Sequence, residues 1–544
     1  MSSLPSVLSQ RIEAVAGADP ELRPATKPQF GHFQSNIALR LAKQEGAKPR
    51  DVAQRIVDAL GIEDLCETPE IAGPGFINFR LRTDVLARAV NEQLADPQAG
   101  IVQTDDLKTV VIDYSSPNVA KQMHVGHLRS TIIGDCFNRV LSAQGHHVIA
   151  QNHIGDWGRQ FGMLIEQVVD EGLDLGSLDL PGAEALYRRA NAHLNEDEAF
   201  AERARERVVK LQSGDPETRT AWQRLIKISL AGFNRTYRRM NVLLTDDDVA
   251  GESTYNELLG PVADDLEARG IAVRDSGALV VFAAGFDAPA IIRNSAGGYG
   301  YDATDVAAIR HRVNDLGAQR IIYVTDARQA NHFRLVFAVA KMAGYLPDDV
   351  EAQHVGFGMV LGPGGTPIKT RDGGTVTLES LLDAAEEHAS PDVALAAIKY
   401  ADLSNSLQKD YVFDAERMTQ TTGDTGPYLQ YAHSRCAGIL REAAARDLTW
   451  SQVGVLNEPA EQELALWLTR FGENVQVVSD DLTPHKLCTY LFELATKFSS
   501  FYEKCPVLKS DGEVRTSRLA LVAATKQVLA RGLDLLGIVA PERM

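Results

Sequence analysis

Lys121, His124, Gly126 and His127 stand close together in the run NVAKQMHVGHLRS (118–130). An ammonium and two imidazoles are hydrogen-bond donors suited to phosphate oxygens. The glycine between the histidines lets a flat ring lie against the backbone. Histidines three apart on a helix share a face. Such a set suits charge neutralisation on a nucleotide's phosphates, where alignment and electrostatics do the catalysis and no protein nucleophile is needed. A zinc reading fails, because HExxH is absent and no third ligand stands nearby. A Walker-type loop at GPGGTPIKT (362–370) also fails, because Ile368 occupies the position before Lys369 that requires glycine.

These residues need a particular support. TVVIDY reads as a strand, SSPNVAKQM as a loop, HVGHLRSTIIGDCFNRVLSAQG as a helix ending at Gly145, and HHVIAQNHIG as a second strand. This βαβ unit implies a parallel sheet with a right-handed crossover. Its loop lies at the carboxyl end of the first strand, where ligands of open α/β sheets bind and the helix dipole favours an anion. Strands at ALVVFA (278–283) and RIIYVTD (320–326) suggest that the sheet resumes after a charge-rich, helical insertion spanning about 165–275.

Ahead of this core, SNIALRLAKQEG and PRDVAQRIVDALG have helical periodicity and GPGFINFRLR alternates as a strand, with ADPQAGIVQTDDLK as a polar linker. From 391 onward the pattern is helical, including PYLQYAHSRCAGILREAAAR and HKLCTYLFELATKFSSFYEKC. The expected fold is multidomain: an N-terminal α+β domain (1–106), an α/β Rossmann-like catalytic domain with a parallel sheet (107–390), and a C-terminal all-α helical bundle (391–544).

The chain has 544 residues and a net charge of −18, which argues for solubility without excluding a local basic face. No apolar run is long enough to span a membrane, and MSSLPSVLSQRIEAV lacks the features of a secretory signal. Five scattered cysteines with no CxxC pair fit a reducing cytosol and neither a disulfide framework nor a zinc site, so a cytoplasmic location and no metal ligands are expected.

The HVGH-led helix resembles the HIGH signature of class I aminoacyl-tRNA synthetases. DYSSPNVAKQMHVGHLRSTIIGD is very similar to the same region of arginyl-tRNA synthetases, and the likeness runs the full length through NHIGDWGRQFG, YVTDARQANHF, HVGFGMVLGPGGTPIKTRDGGTV and GPYLQYAHSR. The resemblance implies an arginine–tRNA ligase. The arginine carboxylate attacks the α-phosphorus of ATP, supplied with Mg2+, and pyrophosphate leaves. The 3′-terminal ribose of tRNA(Arg) then takes the arginyl group and AMP is released.

The same resemblance assigns roles. His124 and His127 contact the ATP phosphates, and Gly126 lies beneath the adenosine. Lys369 and Arg371, in IKTRDGG, stand on the mobile KMSKS loop; Thr370 replaces that motif's second lysine, and Lys121 takes over its role. Asp113, Asn118, Tyr301, Asp305 and Gln329 face the arginine, with Asn152 and His153 lining the same pocket. His354 neighbours the adenine, whose edge pairs with backbone at Met359 or Val360. Phe76 and Asn78 are candidates for the tRNA elbow, and Tyr428 and Tyr431 for stacking on the anticodon. A monomer is implied. Two other classes stay open at this point: a small HxGH-type nucleotidyltransferase, and a non-catalytic tRNA-binding relative.

Overall fold

The computed structural model describes residues 3–25, 27–366, 368 and 376–544. Lys369 and Arg371 therefore lie outside the described residues. The chain opens with α1 (Leu4–Ala16), capped by the Ser3 hydroxyl, which accepts the Ser6 N–H. Strands β1 (Leu22–Pro24), β2 (Phe33–Ser35), β3 (Glu70–Ala72) and β4 (Phe76–Phe79) form an antiparallel sheet in the order β1-β2-β4-β3. Helices α2 (Ile37–Glu45) and α3 (Pro49–Ala59) turn Ile37, Ala38, Val52 and Ile56 into its core. Then α4 (Thr83–Ala95) leads to the segment read as a linker, which is firmly held. The Asn91 amide exchanges hydrogen bonds with the Val453 backbone, Gln93 Nε2 donates to the Leu468 carbonyl, and Gln527 donates to the Asp96 carbonyl.

The central sheet contains β5 (Thr109–Asp113) and β6 (His147–Gln151), joined by α5 (Val125–Ala143). The helices α6 (Arg159–Glu171), α7 (Leu180–Glu196), α8 (Glu198–Gln212), α9 (Pro216–Arg239) and α10 (Asn256–Ala268) come after β6 as the expected helical insertion. The 278–283 segment departs from expectation and does not rejoin the parallel sheet. Residues 278–281 form β8 (Ala278–Val281), the middle strand of a small antiparallel sheet with β7 (Val273–Asp275) and β9 (Ala290–Arg293). Ser276 and Gly277 both have positive φ, 46° and 82°, the conformation of a tight two-residue hairpin turn, so β8 folds straight back on β7.

After α11 (Tyr301–Asn314) the parallel sheet resumes with β10 (Arg320–Asp326), α12 (Ala330–Met342) and β11 (Glu351–Phe357), giving the order β11-β10-β5-β6 with every pair parallel. Chain order reverses between β5 and β10, and such a switch point opens a crevice at the carboxyl ends of the strands. Alternation along the strands feeds two cores. Val110, Ile112, Ile322 and Val324 face one cluster, Val111, Ile321 and Tyr323 the other.

A short parallel pair, β12 (Val360–Leu361) and β13 (Tyr411–Val412), links the central α/β unit to the helical region. Around it lie α13 (Leu378–Glu386), α14 (Pro391–Leu403) and α15 (Ala415–Met418). The C-terminal bundle comprises α16 (Gly426–Ala445), α17 (Pro459–Leu468), α18 (Phe471–Asp481), α19 (Pro484–Lys504) and α20 (Gly512–Leu535). All five cysteines are buried and unpaired. Among the described residues, no helix is long and apolar enough to cross a membrane.

Candidate active site

The loop from β5 to α5 is held in an unusual shape. Ser115, Ser116 and Ala120 all have positive φ, at 73°, 51° and 59°. Such backbone costs of order 1–3 kcal/mol per residue and persists only when its surroundings over-determine it. Here they do. Ser130 Oγ accepts the Ser115 N–H, Asn152 Oδ1 the Ser116 N–H and Ser229 Oγ the Ala120 N–H, while Tyr237 OH bonds both Ser115 Oγ and Asn152 Nδ2. Elements α5, β6 and α9 thus jointly set the loop that delivers the histidines.

His124 is the N-cap of α5. Its Nδ1 accepts the Gly126 N–H at 3.0 Å, and His127 Nδ1 accepts the His124 N–H at 3.1 Å. The rings sit 4.0 Å apart between centroids. With both Nδ1 atoms accepting, the proton of each neutral ring must be on Nε2, so each ring presents an N–H donor at the helix N-terminus. Burial, then the nearby Lys121 ammonium, lowers the His124 pKa. Burial, then His124, lowers that of His127 to about 3. Both imidazoles are neutral donors at physiological pH.

Gly126 serves this geometry directly. A Cβ there would meet His124 Cε1 at 2.7 Å, although the position is otherwise exposed. Gly126→Ala should therefore displace the capping imidazole and slow the arginine-dependent ATP–pyrophosphate exchange that the resemblance implies by about 10²-fold, the scale of a 1 Å misplacement. Exchange rates measured with tRNA present check this, and an unchanged rate would show that the ring has room to move.

Lys121 Nζ lies 4.3 Å from the centre of the Tyr187 ring, contributed by α7. The segment after residues 369–375 returns to the same place: His124 and Thr377 form an antiparallel bridge, the Val125 N–H donates to the Val376 carbonyl, and the Leu378 N–H donates to the Met123 carbonyl. One root of the expected KMSKS-like loop is thus fastened beside the histidines.

On the amino-acid side, the structure redistributes the expected contacts. Asp113 is buried, with Oδ2 on Arg312 at 2.6 Å and Oδ1 accepting from Ser116 Oγ. It supports the crevice instead of facing it. Arg312 is itself wholly buried, also bonding Gln151, with its guanidinium over the Tyr323 ring. Asn152 is likewise corrected: its amide is spent on Ser116 and Tyr237, so it shapes the loop. Asn118 is exposed and bridges to Gly155. His153 stacks on Tyr255 at 5.6 Å, and its buried Nδ1 has no hydrogen-bond partner among the described residues.

Tyr301 begins α11 with 77% of its surface exposed, and Asp305 stands one turn on, partly buried. Gln329, exposed, caps α12. Two further groups are not marked by the sequence. Burial, then Asp156 and Asp305, raises the Glu252 pKa to about 7. His332 lies between Asp302 (Nδ1, 3.2 Å) and Asp305 (Nε2, 2.6 Å). Glu252 comes from the irregular segment before α10, so only tertiary structure brings it here; His332 stands four residues after the motif's Arg328.

On the other side of the crevice, His354 bonds Thr325 Oγ1 through Nε2 at 2.9 Å and stacks on Phe333 at 4.9 Å. The two backbone candidates separate. The Met359 N–H donates to Asp410 and its carbonyl accepts from Tyr411, while the Leu361 carbonyl accepts from Phe413. Alternate residues of a parallel strand bond a given neighbour, so Val360 turns its backbone away from β13. Arg129 secures this strand from α5, donating to the Gly358 and Lys409 carbonyls and pairing with buried Asp402.

The RNA candidates also divide. Phe76 is half-buried at the start of β4. Asn78 is 4% exposed with Oδ1 bonded to Gln34, so its side chain belongs to the sheet and not to an RNA surface. Tyr431 is exposed, whereas Tyr428 is half-buried against Phe492 and Ser499.

A strand-loop-helix corner with two neutral imidazoles at a helix N-terminus, at the switch point of a parallel sheet, has the form that nucleotide sites take in open α/β folds. Residues 89–415 match the family described as tRNA synthetases class I (R), catalytic domain. The chain belongs to the class I tRNA synthetases. Residues 2–81 match the arginyl tRNA synthetase N terminal domain and residues 429–544 the DALR anticodon binding domain. The chain is 68% identical to the arginine–tRNA ligase of Cutibacterium acnes over 556 aligned positions, covering all of both chains. It is 48% identical to that of Thermobifida fusca, again with both chains covered entirely. Solved arginyl-tRNA synthetases from Plasmodium falciparum and Thermus thermophilus each superpose with a TM-score of 0.82 at 27% identity, covering 100% and 99% of this chain and 100% of theirs. Within its class, the chain is a member of the arginine–tRNA ligase family.

Proposed function

We propose that this arginine–tRNA ligase runs both half-reactions in the crevice between β5 and β10, with ATP's phosphates at the N-terminus of α5. The observation that carries this reading is the pair of Nδ1-accepting histidines. Their Nε2–H groups are fixed donors, already oriented by the backbone, for oxygens that gain charge as the arginine carboxylate attacks the α-phosphorus. The bond from that phosphorus to the β-phosphate's bridging oxygen breaks, and the electron pair leaves with pyrophosphate. Magnesium arrives with ATP as its phosphates' counterion; among the described residues, no group of three His, Cys, Asp or Glu could hold a metal ion. The ribose 2′-hydroxyl of the tRNA end then attacks the arginyl carbonyl and AMP departs.

Val360 backbone and His354 suit the adenine, with Gly126 beneath the nucleoside. Asp305, with Glu252 beside it, suits the guanidinium, while Asn118, Tyr301 and Gln329 border the same crevice. Asp113, Arg312 and Asn152 hold its walls in place. Lys121 would leave the Tyr187 ring to meet the pyrophosphate, and the resemblance gives Lys369 and Arg371 a share in that task.

For the tRNA, α9 supplies a positive surface on an acidic chain: Arg219, Arg224, Lys227, Arg235, Arg238 and Arg239 against Glu217 alone. Arg235 and Arg239 are taken by α13 carboxylates; among the described residues, Arg224, Lys227 and Arg238 make no ion pair. Phe76 and Tyr431 remain candidates for the elbow and the anticodon. The division into 1–106, 107–390 and 391–544, a monomeric state and a cytoplasmic location complete the proposal.

Lys121→Ala tests the assignment. The rate of arginyl-adenylate formation should fall by about 10²-fold, the loss expected for one oriented donor to a developing charge, while arginine binding changes less than threefold. Rapid-quench kinetics alongside equilibrium binding separates the two. An equal loss in both would return Lys121 to a packing role on Tyr187.

A further inference from the structure

The Asp302–His332–Asp305 cluster is built like a clamp. The YDATD turn places two carboxylates three residues apart on α11, and α12 inserts His332 between them. Its Nδ1 is 3.2 Å from Asp302 Oδ1 and its Nε2 2.6 Å from Asp305 Oδ2. A ring with a carboxylate at each nitrogen satisfies both only when both nitrogens carry a proton. The remaining oxygens differ. Asp302 Oδ2 accepts the Ile291 N–H, whereas Asp305 Oδ1 has no hydrogen bond from the described residues.

We propose that His332 is a positioning residue for arginine recognition: as an imidazolium held by Asp302, it fixes the Asp305 carboxylate with one oxygen engaged and the other presented to the guanidinium. This rests on Asp305 being arginine's carboxylate. The clamp also sets the charge of the pocket. Two aspartates and one imidazolium leave one net negative charge, matched to one cationic side chain, beside Glu252, whose pKa burial first, then Asp156 and Asp305, raises to about 7.

The groups facing His332 agree with its being charged. Hydrogen bonds that the ring donates to Asp302 first, then to Asp305, raise its pKa to about 9 against the opposing effect of burial. On the sheet side, the Phe333 ring stands edge-on at 5.2 Å and separates it from His354, whose pKa is lowered by burial first and by the His332 charge last. Tyr323 and Glu252 both sense Asp305. Loss of the His332 proton would set a ring lone pair against one carboxylate and release Asp305.

Steady-state aminoacylation by the full chain tests this. His332→Ala should raise KM for arginine about 10- to 100-fold, the usual effect of removing a partner that orients a ligand-binding group. kcat should stay within threefold and KM for ATP within twofold. His332→Gln keeps a donor for Asp305 and should recover most of the affinity. The ratio of wild-type to His332→Gln kcat/KM for arginine, in which the substrate's own titration cancels, should be flat from pH 6.5 to 8 and fall above about pH 9.

Three results would overturn the clamp: an unchanged KM for arginine in His332→Ala, an equal rise in KM for ATP, or a ratio flat through pH 9.5. If His332→Ala does not fold, His332→Gln and the pH ratio decide alone. Asp305→Asn separates the layers. If it leaves KM for arginine unchanged, the guanidinium assignment itself is wrong. If it raises KM while the His332 variants do not, only the clamp fails.

Discussion

His127→Ala should lower kcat for arginyl-adenylate formation by about 10²- to 10³-fold, the loss expected when one preorganised donor to a developing oxyanion is removed. KM for arginine should stay within threefold. Two effects are mixed in that variant, because His127 Nδ1 also accepts the His124 N–H and so ties off the start of α5. His127→Asn divides them. An asparagine carbonyl can still accept that N–H, so the helix keeps its cap, yet no donor reaches the phosphate site. The asparagine variant should match wild-type melting temperature and still lose most of the rate. Retained activity in His127→Asn would mean that the histidines serve the helix and not the phosphates. Because burial lowers the His127 pKa to about 3, the wild-type activation rate should show no titration by His127 between pH 6 and 8. A step in that window with the amplitude of the His127→Asn loss would contradict the assigned tautomers.

The features legible in the sequence are the local ones. The β5–loop–α5–β6 unit is contiguous, so its periodicities and the HVGH signature are enough to place His124 and His127 at the head of α5. Asp113 shows the boundary of that approach. It lies where a ligand-facing carboxylate belongs, but its partner Arg312 is 199 residues away, and only the folded chain reveals that the charge is already spent. Asn152 is similar, since its amide is consumed by Tyr237 from the insertion. His332 stands inside the YVTDARQANHF motif, yet an imidazole between two carboxylates exists only because α11 and α12 lie side by side. The departure at residues 278–283 has a local cause. An apolar run suits a central parallel strand and an antiparallel one equally, and the deciding signal is the Ser276-Gly277 turn before it.

Arg129 joins these levels and leads to a large expected loss of stability. It comes half a turn after the signature histidines, is 1% exposed, and ties α5 to three other segments through the Gly358 carbonyl, the Lys409 carbonyl and the Asp402 carboxylate. Arg129→Leu strips the charge partner from a carboxylate that burial already pushes upward, Arg129 being its main restraint. Breaking a buried pair from one side costs about 3–5 kcal/mol. Thermal denaturation should therefore show a marked drop for Arg129→Leu. The double variant Arg129→Leu/Asp402→Leu removes both charges, and well-packed apolar replacements of buried pairs are often neutral. Its melting temperature should recover substantially. ATP affinity should not recover, because the Gly358 and Lys409 carbonyls still lack their donor and the strand carrying Val360 is loose in both variants. A double variant that regains KM for ATP together with stability would show that Arg129 holds the fold alone and has no part in placing the strand proposed to meet the adenine.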